Sequence, residues 1–198
     1  MKAKRVFDLC CVLPGLILLS PLLLLIALWV KLDSPGPVFF CQIRIGQFGK
    51  PFKIIKFRTM YVLPQAGLNL TIGGDSRITR CGRFLRRYKL DEIPQLINVF
   101  KGEMSLVGPR PELPEYVALY PDNIRDYVLS VPVGITDYAS IIFSNENELL
   151  ANSEQPELDY VEKILPLKLA YHQYYVRQHS LFLDILLILK TFKRVFLS

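Results

Sequence analysis

Asp91 and Glu92 stand side by side, directly after a basic run and directly before Ile93-Pro94-Gln95. Between positions 77 and 110 the basic residues are Arg77, Arg80, Arg83, Arg86, Arg87, Lys89, Lys101 and Arg110, opposed only by Asp91, Glu92 and Glu103. Pro94 suits the first position of a helix, because its missing N–H is one of the donors that a helix start leaves unpaired. The two acids then sit where orphan amides favour anions, so a carboxylate there is expected to stay ionised with help from the arginines. An ionised carboxylate can act as a nucleophile toward phosphorus. The same placement also suits a plain helix cap, and the basic run by itself also suits a solvated face or an anionic-lipid patch. Further on, Arg110 lies between Pro109 and Pro111. Two prolines restrict the backbone around it, and a guanidinium presented with little freedom suits two-pronged phosphate binding. A surface turn is the plainer reading of that tripeptide.

Other chemistry finds little support. His172 and His179 are the only histidines, which argues against a zinc site. Cys10, Cys11, Cys41 and Cys81 form no CxxC pair and read as reduced, apolar fillers. GxSxG, Walker A and GxGxxG are absent, and the GxxGK at Gly46–Lys50 has the wrong spacing for a phosphate loop. A Ser–His pair stays open. The 198 residues suggest one domain. With 51% hydrophobic and 21% charged residues the chain is neither disordered nor, with four cysteines, a disulfide scaffold. A net charge of +6 on so apolar a chain points to anionic lipid, phosphate ligands, or both.

The elements that must position the acids begin with an apolar run. No charge falls between Asp8 and Lys31, an interval of 22 residues. As one helix it would reach ~33 Å, enough to cross a bilayer core. The run is too long for a cleaved signal peptide and no small-residue cleavage site follows it. Ser20-Pro21 in its middle predicts a kink, since Pro21 removes a donor and clashes with the carbonyl of Ile17, while Ser20 can bond a freed carbonyl. Both flanks are basic: Lys2, Lys4 and Arg5 before; Lys31, Arg44, Lys50, Lys53, Lys56 and Arg58 after. Positive flanks tend to stay in the cytoplasm. A helix that enters and leaves one leaflet fits both observations, and a simple spanning helix is the competitor. Trp29, at the end of the run, suits a headgroup zone or a core.

Residues 1–32 are thus expected to form a re-entrant membrane helix, and 33–198 one cytoplasmic domain. Within it, Val38–Gln42 and Phe52–Phe57 read as strands around a Gly46–Pro51 loop. Residues 63–76 read as a loop. Helices are predicted over Arg77–Leu90, with Gly82 weakening it, over Pro94–Phe100, in pieces over Pro111–Ser130, and over Leu158–Gln178 with an interruption at Pro166. Ser180–Ser198 suits either a core or the membrane surface. The fold class is α+β, mainly helical with short strands, since strands and helices do not alternate regularly enough for a doubly wound sheet.

The chain resembles the bacterial sugar transferase family, the monotopic polyprenyl-phosphate phosphoglycosyl transferases in their small single-domain form. The matching stretches are Lys4–Asp8, Ser20-Pro21, Lys31–Phe40, Phe52–Met60, Gly82–Arg86, Leu90–Val99 and Lys101–Pro111. The resemblance implies a two-step reaction. Asp91 would attack the β-phosphate of a UDP-sugar, UMP would leave, and polyprenyl (undecaprenyl) phosphate would then take the phosphosugar from Asp91. By the same resemblance Glu92 assists, Asp91 contacts Mg²⁺, and Arg86, Arg110, Arg58 and Lys56 bind substrate phosphate. Pro109, Pro111 and Gln95 would frame the nucleotide site, and Ser20 and Pro21 would break the membrane helix. It further implies the cytoplasmic face of the bacterial inner membrane, the lipid of that membrane as a partner, room for a homodimer, no nucleic acid, and a place in surface-glycan assembly.

One stretch departs from the common pattern. Where family members often read Arg-Pro-Gly-Ile-Thr-Gly and then Ala-Gln, this chain has Pro132-Val133-Gly134-Ile135-Thr136-Asp137 and then Ala139-Ser140. The region 132–148 is expected to help choose the sugar, and an N-acetylated amino sugar is favoured over glucose or galactose by analogy with small members. Three rivals have less behind them. A nucleic-acid binder lacks a stacking sheet or a groove-reading helix, a non-catalytic scaffold sits badly with an intact Asp91-Glu92, and nothing suggests a transferase that releases UDP.

Overall fold

A computed structural model of the chain describes residues 2–62, 75–144, 146–151 and 153–196. The loop expected at 63–76 lies outside them apart from Asp75 and Ser76. The apolar run forms one helix, α1 (Lys2–Asp33), which continues through Pro14 and Pro21. Pro21 has no N–H to give the Ile17 carbonyl, and the Ser20 hydroxyl donates to that oxygen instead at 2.7 Å. The helix ends are fastened by polar groups. Arg5 donates to the carbonyls of Val99 and Phe100, at 2.5 and 2.8 Å. Lys4 pairs with buried Asp184 at 2.6 Å. Asp8 is buried and accepts from Ser105 Oγ and the Leu106 amide, both at 3.1 Å. Lys4 and Arg5, part of the basic flank read in the sequence, are therefore also ties into the domain. At the other end Ile26 and Val30 pack against Phe57, Cys81 and Leu85. Between these anchorages Ile17, Leu18, Leu24 and Leu25 are exposed.

A hairpin follows. β1 (Phe39–Ile45) pairs antiparallel with β2 (Pro51–Phe57) from Phe39↔Phe57 to Ile45↔Pro51. The first strand runs three residues beyond the sequence-based bound, because the hairpin ladder carries pairing up to a turn closed by the Gly46 amide on the Lys50 carbonyl at 2.8 Å. Next comes α2 (Arg80–Arg87), capped by Thr79, whose hydroxyl accepts from the Gly82 amide at 2.9 Å. Lys89, in the left-handed region at φ 54°, turns the chain into a 3₁₀ turn at Leu90–Glu92, and α3 (Gln95–Lys101) follows. The remaining elements are β3 (Ser105–Val107), α4 (Pro114–Val117), α5 (Asp122–Val128), β4 (Gly134–Thr136), α6 (Tyr138–Ile142), α7 (Glu146–Ala151), α8 (Pro156–Asp159), α9 (Leu165–Gln178) and α10 (Leu181–Phe196). A π turn at Tyr160–Ile164 joins α8 to α9 and accounts for the interruption expected near Pro166. β3 and β4 pair in parallel, Ser105 with Gly134 and Val107 with Thr136. The architecture is mostly helical with a few short strands.

The main core gathers Val12, Ile54, Val99, Met104, Tyr160 and Leu165, so it is shared by α1, the hairpin, α3 and the C-terminal helices. α10 contributes to the core through one face and leaves the other exposed. Leu187 and Asp184 are buried, whereas Phe182, Leu189 and Phe192 are exposed.

Gly82 was read from the sequence as a weak point in a helix. Its cause is a close approach: a Cβ there would lie 2.1 Å from the Thr59 carbonyl oxygen. Alanine would gain about 1 kcal/mol in helix propensity, but pushing α2 off Thr59 costs about 1–3 kcal/mol. Gly82→Ala should therefore lower the thermal midpoint of the detergent-held protein. An unchanged or higher midpoint would show that α2 moves at no cost.

Candidate active site

Three separate segments converge on the 3₁₀ turn at Leu90–Glu92. Glu92 lies deepest. Its Oε1 takes Lys56 Nζ from β2 at 2.7 Å. Arg110, in the loop after β3, embraces the same carboxylate with both terminal nitrogens, Nη1 reaching Oε2 at 3.2 Å and Nη2 bonding Oε1. Burial by itself would raise the Glu92 pKa, but Arg110 and then Lys56 outweigh it and hold the carboxyl well below its ordinary range.

Asp91 is treated the other way. It is buried, and its Oδ1 has no hydrogen-bond partner among the described residues. Burial, with the charge of Glu92 next, pushes its pKa up against the opposing pull of Lys56 and Arg86. The expectation of an ionised carboxylate beside arginines is met most strongly at Glu92, while at Asp91 burial works against it. The turn separates them into a fixed anion and a desolvated carboxyl with an open oxygen. That division suits a nucleophile with a static neighbour, since Asp91 carries no competing bond that attack would have to break.

The supporting residues divide as well. Arg86 donates Nε to the Thr59 hydroxyl at 2.8 Å and lies close enough to Asp91 to act on its charge. Arg58 is elsewhere. Its buried guanidinium donates through Nη1 and Nη2 to the carbonyls of Val30, Ser34 and Pro35, at 3.3, 2.8 and 2.5 Å, so it closes the C-terminal end of α1. Lys56 and Arg110 meet at Glu92 instead of standing open. Pro109 and Pro111 fasten the loop of Arg110, the first accepting from the Gly134 amide at 2.9 Å and the second from Arg44 at 3.3 Å. Gly108 and Gly134 allow this: a Cβ on Gly108 would lie 2.2 Å from the Pro132 carbonyl oxygen. Gln95, one turn after Asp91, is fully buried, and neither of its amide atoms has a partner among the described residues.

Some organising residues carry no signal in the sequence. Glu112 is buried behind the Arg110 loop, where it accepts from Tyr160 at 2.8 Å and lies 3.4 Å from Lys168, which pairs with Glu146 at 2.7 Å. Asp137, where the common pattern has glycine, caps α6 through the Ser140 amide at 2.7 Å and lies 2.8 Å from His172. Ser140 Oγ also bonds Asp137, at 2.6 Å. The carboxylate thus stands between serine and histidine, so this Ser–His pair is not ordered as a nucleophile and its base. Lys168 and His172 are four residues apart on the buried face of α9, a spacing visible in the sequence only once that helix is known to face the loop.

Among the described residues no group of three or more His, Cys, Asp or Glu could hold a metal. A Mg²⁺ bound through one carboxylate and the substrate's own phosphates needs no such group, and the Asp91 carboxylate, with a second oxygen besides the open Oδ1, fits that mode.

A family profile described as bacterial sugar transferase matches residues 1–198. The chain is 35% identical over 195 residues to the UDP-N-acetylgalactosamine-undecaprenyl-phosphate N-acetylgalactosaminephosphotransferase of Aeromonas hydrophila, covering 97% of this chain and 43% of that protein. It is 42% identical over 205 residues to the undecaprenyl-phosphate glucose phosphotransferase of Komagataeibacter xylinus, covering 100% and 36%. An uncharacterized sugar transferase of Bacillus subtilis (strain 168), EpsL, is 37% identical over 199 residues, covering 100% and 89%. The chain spans less than half the length of the first two. The chain belongs to the bacterial sugar transferase family.

Proposed function

We propose that the chain is a phosphoglycosyl transferase that moves a sugar-1-phosphate from a UDP-sugar to undecaprenyl phosphate and releases UMP. The observation that carries this reading is the divided dyad: a desolvated Asp91 with an open Oδ1, beside a Glu92 pinned by Lys56 and Arg110. In the first step Asp91 Oδ1 bonds the β-phosphorus while the bond from that phosphorus to the bridging oxygen breaks, and UMP leaves with the oxygen. In the second step an oxygen of undecaprenyl phosphate bonds the same phosphorus and the Asp91 carboxylate leaves. Glu92 keeps Lys56 and Arg110 together beside the reacting carboxyl, and Arg86 adds positive charge from α2, so the cations stand where two anions must meet. Mg²⁺ held by Asp91 and the diphosphate would offset further phosphate charge. Gln95, with two unpaired amide atoms, and the loop of Pro109 and Pro111 suit the nucleotide half of the donor.

The membrane reading rests on α1. A straight helix of this length reaches ~48 Å and, once across a ~30 Å core, would put its ends on opposite sides. Here Asp8 and Val30 both pack on one body, which favours entry and exit on one face, with the Ser20-Pro21 step as the bend. On this reading the site lies on the cytoplasmic side of the inner membrane, where both substrates are reachable, with the exposed apolar face of α10 lying on the lipid. Surface-glycan assembly would use the product. The relatives act on glucose and N-acetylgalactosamine at similar identity, so the sugar must be measured.

The test uses detergent- or nanodisc-held protein, Mg²⁺, undecaprenyl phosphate and a panel of UDP-sugars, with UMP and UDP separated. UMP released with one sugar is the expected result. UDP release, or neither nucleotide across the panel, would sink the proposal.

A further inference from the structure

Helix α2 has two unlike faces. Cys81, Gly82 and Leu85 turn into the core, and Arg86 reaches Thr59. The opposite face carries Arg80, Arg83, Phe84 and Arg87, an i, i+3, i+4, i+7 stripe, and all four are exposed. The helix contains no acidic residue, and among the described residues these three guanidiniums have no carboxylate partner. Phe84 packs 5.4 Å from the Trp29 ring of α1 and 4.8 Å from Tyr88, and Arg87 stands over the Tyr88 ring at 5.7 Å. Within the two turns before Trp29, α1 exposes Leu22, Leu24, Leu25 and Leu28.

The surface therefore runs from leucines through an aromatic cluster to a row of unpaired guanidiniums. This is the order met on leaving a leaflet, from acyl chains through the interfacial zone to charged headgroups. A solvated helix face would intersperse acids, because like charges at these spacings repel. A nucleic-acid platform would need open aromatic faces, whereas these rings pack on one another and continue into the leucines of α1.

We propose that the α2 stripe binds anionic phospholipid headgroups, with Trp29, Phe84 and Tyr88 seated at the interface, so that the protein gathers anionic lipid beside the turn that carries Asp91. The inference rests on α1 being membrane-embedded and is separate from the transfer chemistry, for which Arg86 is the α2 arginine turned inward.

Trp29 is the single tryptophan of the chain, which makes it a local reporter. The full chain is placed in nanodiscs of equal phosphatidylglycerol and phosphatidylcholine, with bromine on the acyl chains of one lipid or the other. Brominated phosphatidylglycerol should quench Trp29 more strongly, corresponding to about threefold local enrichment or more, since each basic residue near an anionic surface contributes a factor of roughly five. The preference should vanish in the Arg80→Gln/Arg83→Gln/Arg87→Gln variant. It should survive in the corresponding triple lysine variant, which keeps the charge and shows that folding is not the cause. Equal quenching by the two brominated lipids would overturn the inference, as would a preference that persists in the glutamine variant. A preference erased by RNA at equal phosphate concentration would mark a nucleic-acid surface instead. Quenching by neither lipid would remove the membrane reading of α1 as well, so the two failures are distinguishable.

Discussion

Asp91→Asn should lose UMP release by about 10⁴-fold or more and yet make the folded protein more stable. The two effects have one cause. Asp91 is buried with an oxygen that no described residue bonds, and burial raises its pKa. A carboxyl with a raised folded pKa binds its proton more tightly folded than unfolded. Its ionisation therefore opposes folding, and the loss begins at the unfolded pKa of ~3.9 and is complete above the folded one. Asparagine has no charge to desolvate, so at neutral pH the variant should gain about 1 kcal/mol, in the range usual when a functional group held at a stability cost is replaced. The gain should disappear in acid, where native Asp91 is already neutral.

Two readouts separate this from a misfolded variant. Thermal midpoints across a pH series should converge at low pH and diverge above it. Native protein given UDP-sugar without undecaprenyl phosphate should take up the mass of a sugar phosphate, and Asp91→Asn should not. Retained turnover would end the nucleophile assignment. Lost turnover with a midpoint lowered at all pH values would make Asp91 a structural residue.

Legibility in the sequence followed the distance between cause and effect along the chain. Asp91-Glu92, Pro94 and the hairpin could be read because each signal lies within a few residues of the structure it specifies. The α10 dilemma was also legible, because its apolar residues are spread around the helix and so serve both a core and an exposed face. The structural bonds of Arg58 were not legible, because its partners are carbonyls at positions 30, 34 and 35, and a basic residue in a matching motif gives no sign of contacts made so far along the chain. The ties of Lys4 and Arg5 were hidden for the same reason, with partners at 184, 99 and 100. Asp137 was noticed only as a departure from a common pattern. Its contact with His172 needs α9 packed against α6 before it exists. The most consequential miss was the inequality of the two acids. Adjacent residues of like type look alike in sequence, and only the arrival of β2 and the Arg110 loop on one of them sets them apart.

That inequality predicts the opposite outcome for the neighbour. Glu92→Gln should cost about 1–3 kcal/mol, because it leaves the half-buried Lys56 and Arg110 without their common counter-charge. In the native protein Glu92 has a depressed pKa. It therefore stabilises fully above its unfolded pKa of ~4.3, and the contribution is lost as pH falls through the folded value. The variant should lack this acid-side loss and show a new dependence at the basic end. Burial already lowers the Lys56 pKa, and Glu92 is the largest influence holding it up. Without Glu92 the folded state would favour neutral lysine, so stability should rise with pH between the lowered folded pKa and the unfolded value of ~10.4. Lys56→Met in the Glu92→Gln background should recover part of the loss and flatten that rise. UMP release should fall in the single variant, since the cations that face the diphosphate lose their common anchor. A Glu92→Gln protein as stable as the native one, with no alkaline recovery, would mean that Lys56 and Arg110 reach water without it, and the pinned-anion role would fall.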